Sequence, residues 1–258
     1  MSASGPLIPA ARALARAVDT LTFHPPVRFV YNPLVYARAP AEAYLAAYAS
    51  SPKRVVFVGM NPGPWGMAQT GVPFGEIRIA RDWLGISGPV LAPQGGHPRL
   101  PIDGFDCRRS EVSGSRLWGL LRDHYGTPER LSADLLVANY CPLLFLDVDG
   151  RNLTPDKIAR RDRAPLFEAC DRFLRAVVET MRPQWLVGVG RFVESRLDAL
   201  GPVPGATPRI ASIPHPSPAS PSANKDWAGQ ATRALVTQGV WEPSQAAGPQ
   251  AVSIGSPR

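Results

Sequence analysis

Three side chains suited to handling a flat heterocycle each follow an apolar run. Asn61 lies in Gly59-Met60-Asn61-Pro62-Gly63-Pro64-Trp65-Gly66, Asn139 opens Asn139-Tyr140-Cys141-Pro142, and His215 opens His215-Pro216-Ser217-Pro218. A primary amide presents a donor beside an acceptor and so reads the edge of a base, while an imidazole can stabilise developing negative charge. Other chemistries are missing. The sequence offers no carboxylate pair, no thiol–imidazole pairing and no Walker phosphate loop. Taken singly, each residue also has an ordinary reading. Asn-Pro-Gly is turn chemistry, Asn139 can cap a strand exit, and His215 can be a loop histidine bonded to backbone. Phe74 and Trp65 read first as core, since aromatic side chains bury large areas.

These residues become a site only if the chain brings them together. Residues 54–59 (RVVFVG), 133–139 (ADLLVAN) and 185–190 (WLVGVG) are unalternating hydrophobic runs, the mark of strands covered on both faces. A fourth, shorter run spans 209–213. Helical periodicity fills the intervals at 10–21, 41–49, 116–125, 164–181 and 224–238, and Thr154-Pro155-Asp156 has the layout of a helix start. Alternating strands and helices predict an α/β fold, a three-layer α/β/α sandwich around a mostly parallel four-stranded sheet. In such a sheet, ligands bind beyond the carboxyl ends of the strands. Parallel strands would therefore converge Asn61, Asn139 and His215 on one edge.

Length and composition set the outer limits. The 258 residues suffice for one well-buried domain, expected over 10–240, with flexible tails at 1–9 and 241–258. No apolar run is long enough to span a membrane, and Pro6, Pro9 and Arg12 interrupt any signal-peptide layout. A cytoplasmic location follows as the expectation, and abundant Ala, Arg and Pro point to a G+C-rich bacterial genome and a nucleoid-associated protein. The net charge of +7 and pI near 9.8 suit an acidic partner such as nucleic acid, although many basic proteins simply carry a solvated positive surface. Cys107, Cys141 and Cys170 form no C-x-x-C pair, which argues against a disulfide framework and against four-cysteine iron–sulfur or zinc sites. Reduced, partly buried thiols are expected, with no metal and no cofactor.

The segments GMNPGPWGMAQTGVPFGEI, RDWLGI, EVSGSRLWG, NYCPLLFLD, GRNLTP, VGVGR and HPSPASPSANKDW, in this order from Tyr31 to Trp227, resemble the single-strand-selective monofunctional uracil-DNA glycosylases of the uracil-DNA glycosylase superfamily. The resemblance implies a monomeric repair enzyme that hydrolyses the bond between uracil and its sugar in single- or double-stranded DNA. By that resemblance Asn61 holds the attacking water and His215 steadies negative charge on the departing base. Asn139 pairs with the uracil edge, Phe74 stacks on the ring, and a backbone N–H near Met60 donates to a uracil oxygen. Gly63 leaves room beside C5, admitting 5-hydroxymethyluracil. Residues 216–225 match the wedge that fills the gap left in a duplex, with Pro216, Ser217, Pro218, Ala219, Ser220 and Lys225 facing DNA. Vertebrate members carry an arginine where this chain has Ala219, and carboxylate-dependent relatives carry Asp where it has Asn61. Two rival readings remain at this level: a damage binder without catalysis, and a nucleoside-processing enzyme, which would need a phosphate loop or carboxylate cluster.

Overall fold

A computed structural model describes residues 5–219 and 223–243. The chain opens with α1 (Ile8–Asp19), β1 (Phe29–Tyr31), α2 (Pro33–Tyr36), α3 (Arg38–Tyr48), β2 (Val55–Gly59) and the single turn α4 (Met67–Thr70). After a long connection that holds a π-helical turn (Ile79–Trp83) and a 3-10 turn (Gly104–Asp106) come α5 (Val112–Tyr125), α6 (Pro128–Asp134), β3 (Leu135–Asn139), β4 (Leu144–Leu146) and β5 (Asn152–Leu153). The last third holds α7 (Arg160–Met181), β6 (Trp185–Val189), α8 (Arg191–Asp198), β7 (Arg209–Ile213) and α9 (Ala223–Thr237).

The main sheet has the order β3-β2-β6-β7, parallel throughout. Every residue of β2, β3 and β6 is buried, and successive side chains point to opposite faces, so both faces are covered by helices. That is the three-layer sandwich the hydrophobic runs predict. β3 and β7 are the two edge strands, and in β7 Arg209 and Ile210 are exposed. From β2 the chain crosses to one side to form β3, then returns past β2 to form β6. This reversal places a crevice beyond the carboxyl ends of the strands.

Several local expectations need correction. The packed body starts before residue 10: Leu7 is buried and α1 begins at Ile8, with Pro9 in its first turn. It also runs past residue 240, because Trp241 is buried and stacks on His124 with ring centroids 3.8 Å apart. A polar, Pro-rich neighbourhood concealed that one large apolar anchor. The remaining parts of the two expected tails, 1–4 and 244–258, lie outside the described residues. Thr154 starts only a 3-10 turn, Pro155–Lys157, since Ile158 and Ala159 are extended; the long helix begins at Arg160 and tolerates Pro165 inside it. A second, antiparallel sheet, β1-β4-β5, went unread because its strands have only three, three and two residues.

Candidate active site

The carboxyl ends of the strands open into a cavity of about 340 Å³, a size suited to a small ligand. Asn61, Asn139 and His215 all line it, together with Met60, Gly63, Phe74 and Ser217. The register explains the convergence. Gly59 of β2 pairs with Asn139 of β3, and the pairing continues past the strand ends as Tyr140 and Cys141 N–H donate to the Gly59 and Met60 carbonyls at 2.8 and 2.9 Å. Gly190 N–H donates to the Ile213 carbonyl at 2.9 Å, fixing the exit of β7 two residues before His215.

Each polar group has a defined orientation. Nδ2 of Asn61 donates to the Leu143 carbonyl at 3.2 Å, leaving Oδ1 as the amide's acceptor. An amide held in this way can accept an O–H from water but cannot remove a proton strongly. His215 accepts the Ser217 N–H on Nδ1 at 3.1 Å, which places the ring proton on Nε2. Desolvation holds the imidazole below the ordinary histidine pKa, so it is a neutral donor near neutral pH. Asn139 is buried; its Nδ2 donates to Met67 Sδ at 3.1 Å, while Oδ1 has no partner. A thioether is a weak acceptor and an orphaned buried carbonyl oxygen is costly, so this amide is poised for an incoming donor.

Phe74 lies 6.5 Å from His215 between ring centroids and has φ of 53°, a left-handed conformation that costs a bulky residue on the order of 1–3 kcal/mol. Trp118 Nε1 holds the neighbouring Pro73 carbonyl at 3.1 Å. Gly59 has to be glycine, because a β-carbon there would collide with the Phe74 ring and with Asn139. The 62–66 turn is buckled by Gln69. Its Nε2 donates to the Pro64 and Pro101 carbonyls at 3.0 and 3.1 Å, and its Oε1 accepts the Asp103 and Gly104 N–H groups.

Gly63 and Gly66 lie against the Glu111 side chain. A β-carbon on Gly63 would collide with Oε1 of Glu111, and one on Gly66 with Oε2, so the two glycines admit a carboxyl group. Glu111 precedes α5 without capping it. The residue as a whole is half-buried, but Oε2 is sealed from solvent without a partner. Burial, with a smaller contribution from Glu76, pushes its carboxyl up to about 7. The sequence reading missed this residue, and it missed Ser113, Asn152 and Thr154, which line the same cavity. EVSGSRLWG and GRNLTP carry them, but nothing local shows that a carboxyl at 111 reaches a turn at 63–66.

The wedge segment is braced from two helices. Arg116 of α5 donates to the Pro216 carbonyl at 2.8 Å and to Asn224 Oδ1 at 3.1 Å. Asn224 Nδ2 donates to the Pro218 carbonyl at 2.9 Å, Trp227 Nε1 to that of Pro214 at 2.8 Å, and Ala219 N–H to Ser217 Oγ at 3.2 Å. Arg116 therefore braces this segment. Pro218, Ala219 and Lys225 are exposed, Pro216 is buried, and Ser220 lies outside the described residues.

Comparison with known proteins identifies the family. The model of the uracil DNA glycosylase superfamily matches residues 47–236. The single-strand selective monofunctional uracil DNA glycosylase of Mus musculus is 45% identical over 225 residues, covering 86% of this chain and 80% of that protein. The Rattus norvegicus protein of the same name is 44% identical over 251 residues, covering 92% and 90%. Among solved structures, Pedobacter heparinus SMUG2 aligns with a TM-score of 0.63 at 17% identity, covering 90% of this chain and 99% of that one, a likeness of fold alone. This chain belongs to the uracil DNA glycosylase superfamily, in the branch of the single-strand selective monofunctional enzymes.

Proposed function

We propose that the protein removes uracil from DNA by hydrolysing the bond between the base and C1′, leaving an abasic site. The observation that carries this reading is the unpaired Oδ1 of Asn139, sealed in a cavity that also holds a neutral imidazole donor and an acceptor amide. Uracil presents N3–H beside O4, a donor next to an acceptor. Asn139 answers both, taking N3–H on Oδ1 and turning Nδ2 from Met67 Sδ toward O4. Cytosine has the reverse pattern and would leave buried groups unpaired, a mismatch worth about 10⁴-fold in such sites.

A base inside a duplex is out of reach, so the nucleotide is extruded at a cost of a few kcal/mol, least for mismatched or single-stranded bases. The base stacks on Phe74, and backbone near Met60 completes the frame. The electron pair of the C1′–N1 bond passes to the base, and His215 Nε2–H donates to the oxygen where that charge gathers. The water on Asn61 Oδ1 then bonds to C1′ and loses a proton to solvent, while the uracil anion takes one up and leaves as neutral uracil. A strong base is not needed, because the sugar is cation-like before water attacks.

Both single and double strands are proposed as substrates, with Ala219 giving a weaker duplex wedge than an arginine would. Uracils carrying a 5-hydroxymethyl group are included, their substituent lying toward Gly63 and the Glu111 carboxyl. The protein acts as a monomer in the cytoplasm near the nucleoid, a reading its net charge of +7 supports. Incubation with a uracil-containing oligonucleotide followed by hot alkali tests the activity. Cleavage at the uracil is expected, and stable binding without cleavage would identify a damage binder instead.

A further inference from the structure

Glu111 is a carboxylic acid in a cavity whose proposed product is an anion. The turn that carries Asn61 folds over it, with Gly63 against one carboxyl oxygen and Gly66 against the other. No cation pairs with it among the described residues, and Oε2 accepts no hydrogen bond. The charged groups around it are few. Glu76, in the segment after Phe74, pushes the Glu111 carboxyl further up, and its own Oε2 accepts the Ile79 N–H at 3.1 Å. Arg109, two residues earlier, lies over the Trp65 ring at 4.3 Å from its centroid, and Arg116 is committed to Pro216 and Asn224. Across the cavity the other titratable group is the neutral His215. The start of α5 gives no side-chain cap bond to Glu111.

We propose that Glu111 is a positioning residue: uncharged, it supports the Asn61-bearing turn and leaves the cavity free of negative charge while the base departs. Ionised, it would place a desolvated anion in the same low-dielectric cavity as the leaving base, opposing the charge that His215 is placed to stabilise. Solvation would also pull the carboxylate toward water, away from the turn it supports. The upward displacement of its titration puts this change in the neutral range. The proposal rests on the excision reading above and adds a pH dependence to it.

Single-turnover excision from a uracil-containing single strand, at saturating enzyme, tests it. Between about pH 6.5 and pH 8.5 the wild-type rate is expected to fall roughly 20-fold, following the neutral fraction of a carboxyl that titrates at about 7. Glu111→Gln keeps the shape and cannot ionise, so its rate at the higher pH should stay within about two-fold of its own rate at the lower. Glu111→Ala should be slow at both, with Gln restoring what Ala loses. A flat wild-type profile, or an alkaline decline that persists in Glu111→Gln, overturns the proposal, as does a rate that rises with pH only when Glu111 is present. Wild-type protein with no excision at any pH would instead reject the proposed function.

Discussion

Replacing Glu111 by Gln should stabilise the folded protein at alkaline pH relative to acid pH, by an amount fixed by how far the carboxyl is displaced. In the unfolded chain this glutamate titrates at its ordinary value of 4.5, and in the fold at about 7. Below the unfolded value both states hold the proton and the ionisation contributes nothing. Between the two values the unfolded chain is ionised while the fold keeps its proton, so stability falls as pH rises. Each pH unit in this window costs about 1.4 kcal/mol, and the loss levels off near pH 7 at about 3 kcal/mol. Gln carries no such term. Urea denaturation of both proteins at about pH 4 and pH 8.5 isolates it, because packing differences between Glu and Gln cancel between the two conditions. The advantage of Gln should grow by about 2–3 kcal/mol on going to the higher pH. A constant advantage would show that the carboxyl ionises in the fold as freely as in water, and a shrinking one that it ionises more readily there; either result refutes the reasoning. Such a cost would be in keeping with sites that give up stability for function.

Asn61→Ala and His215→Ala should each lower the single-turnover rate by about 10²-fold or more, with smaller losses in DNA affinity measured by anisotropy. Because burial lowers the His215 pKa, the wild-type rate should hold as pH falls through the ordinary histidine range and decline only below it. Asn139→Asp should lower uracil excision by at least about 10²-fold, since a carboxylate then faces O4; unchanged activity would remove Asn139 from base recognition. Gly66→Ala should destabilise by about 1–3 kcal/mol through its collision with Glu111, and Glu111→Ala should relieve most of that loss in a double-mutant cycle.

The legible parts of this molecule are those governed by local pattern. β2, β3 and β6 are continuous hydrophobic runs because both of their faces are covered, and a parallel order then brings Asn61, Asn139 and His215 to one edge. The same pattern says nothing about how the three groups are oriented. The Leu143 carbonyl that fixes Asn61 lies 82 residues away, and Arg116 reaches Pro216 across 100. Glu111 was invisible as a site residue for the same reason: its partners, Gly63 and Gly66, are chosen by the folded chain. Phe74 reads as core and is indeed buried, but its left-handed backbone depends on the turn around it. Trp241 shows the limit of composition, since one aromatic ring in a polar stretch suffices to anchor it.

Mass analysis of a single reaction tests the central claim most directly. The protein is incubated with a uracil-containing single strand in ¹⁸O-water, with borohydride added to a parallel sample. Hydrolysis by the water on Asn61 predicts free, unlabelled uracil and an intact abasic strand that carries the label at C1′. It also predicts no trapped protein–DNA adduct, because no lysine lines the cavity among the described residues. Uracil left in the strand, or a covalent adduct formed at the rate of turnover, would contradict the account.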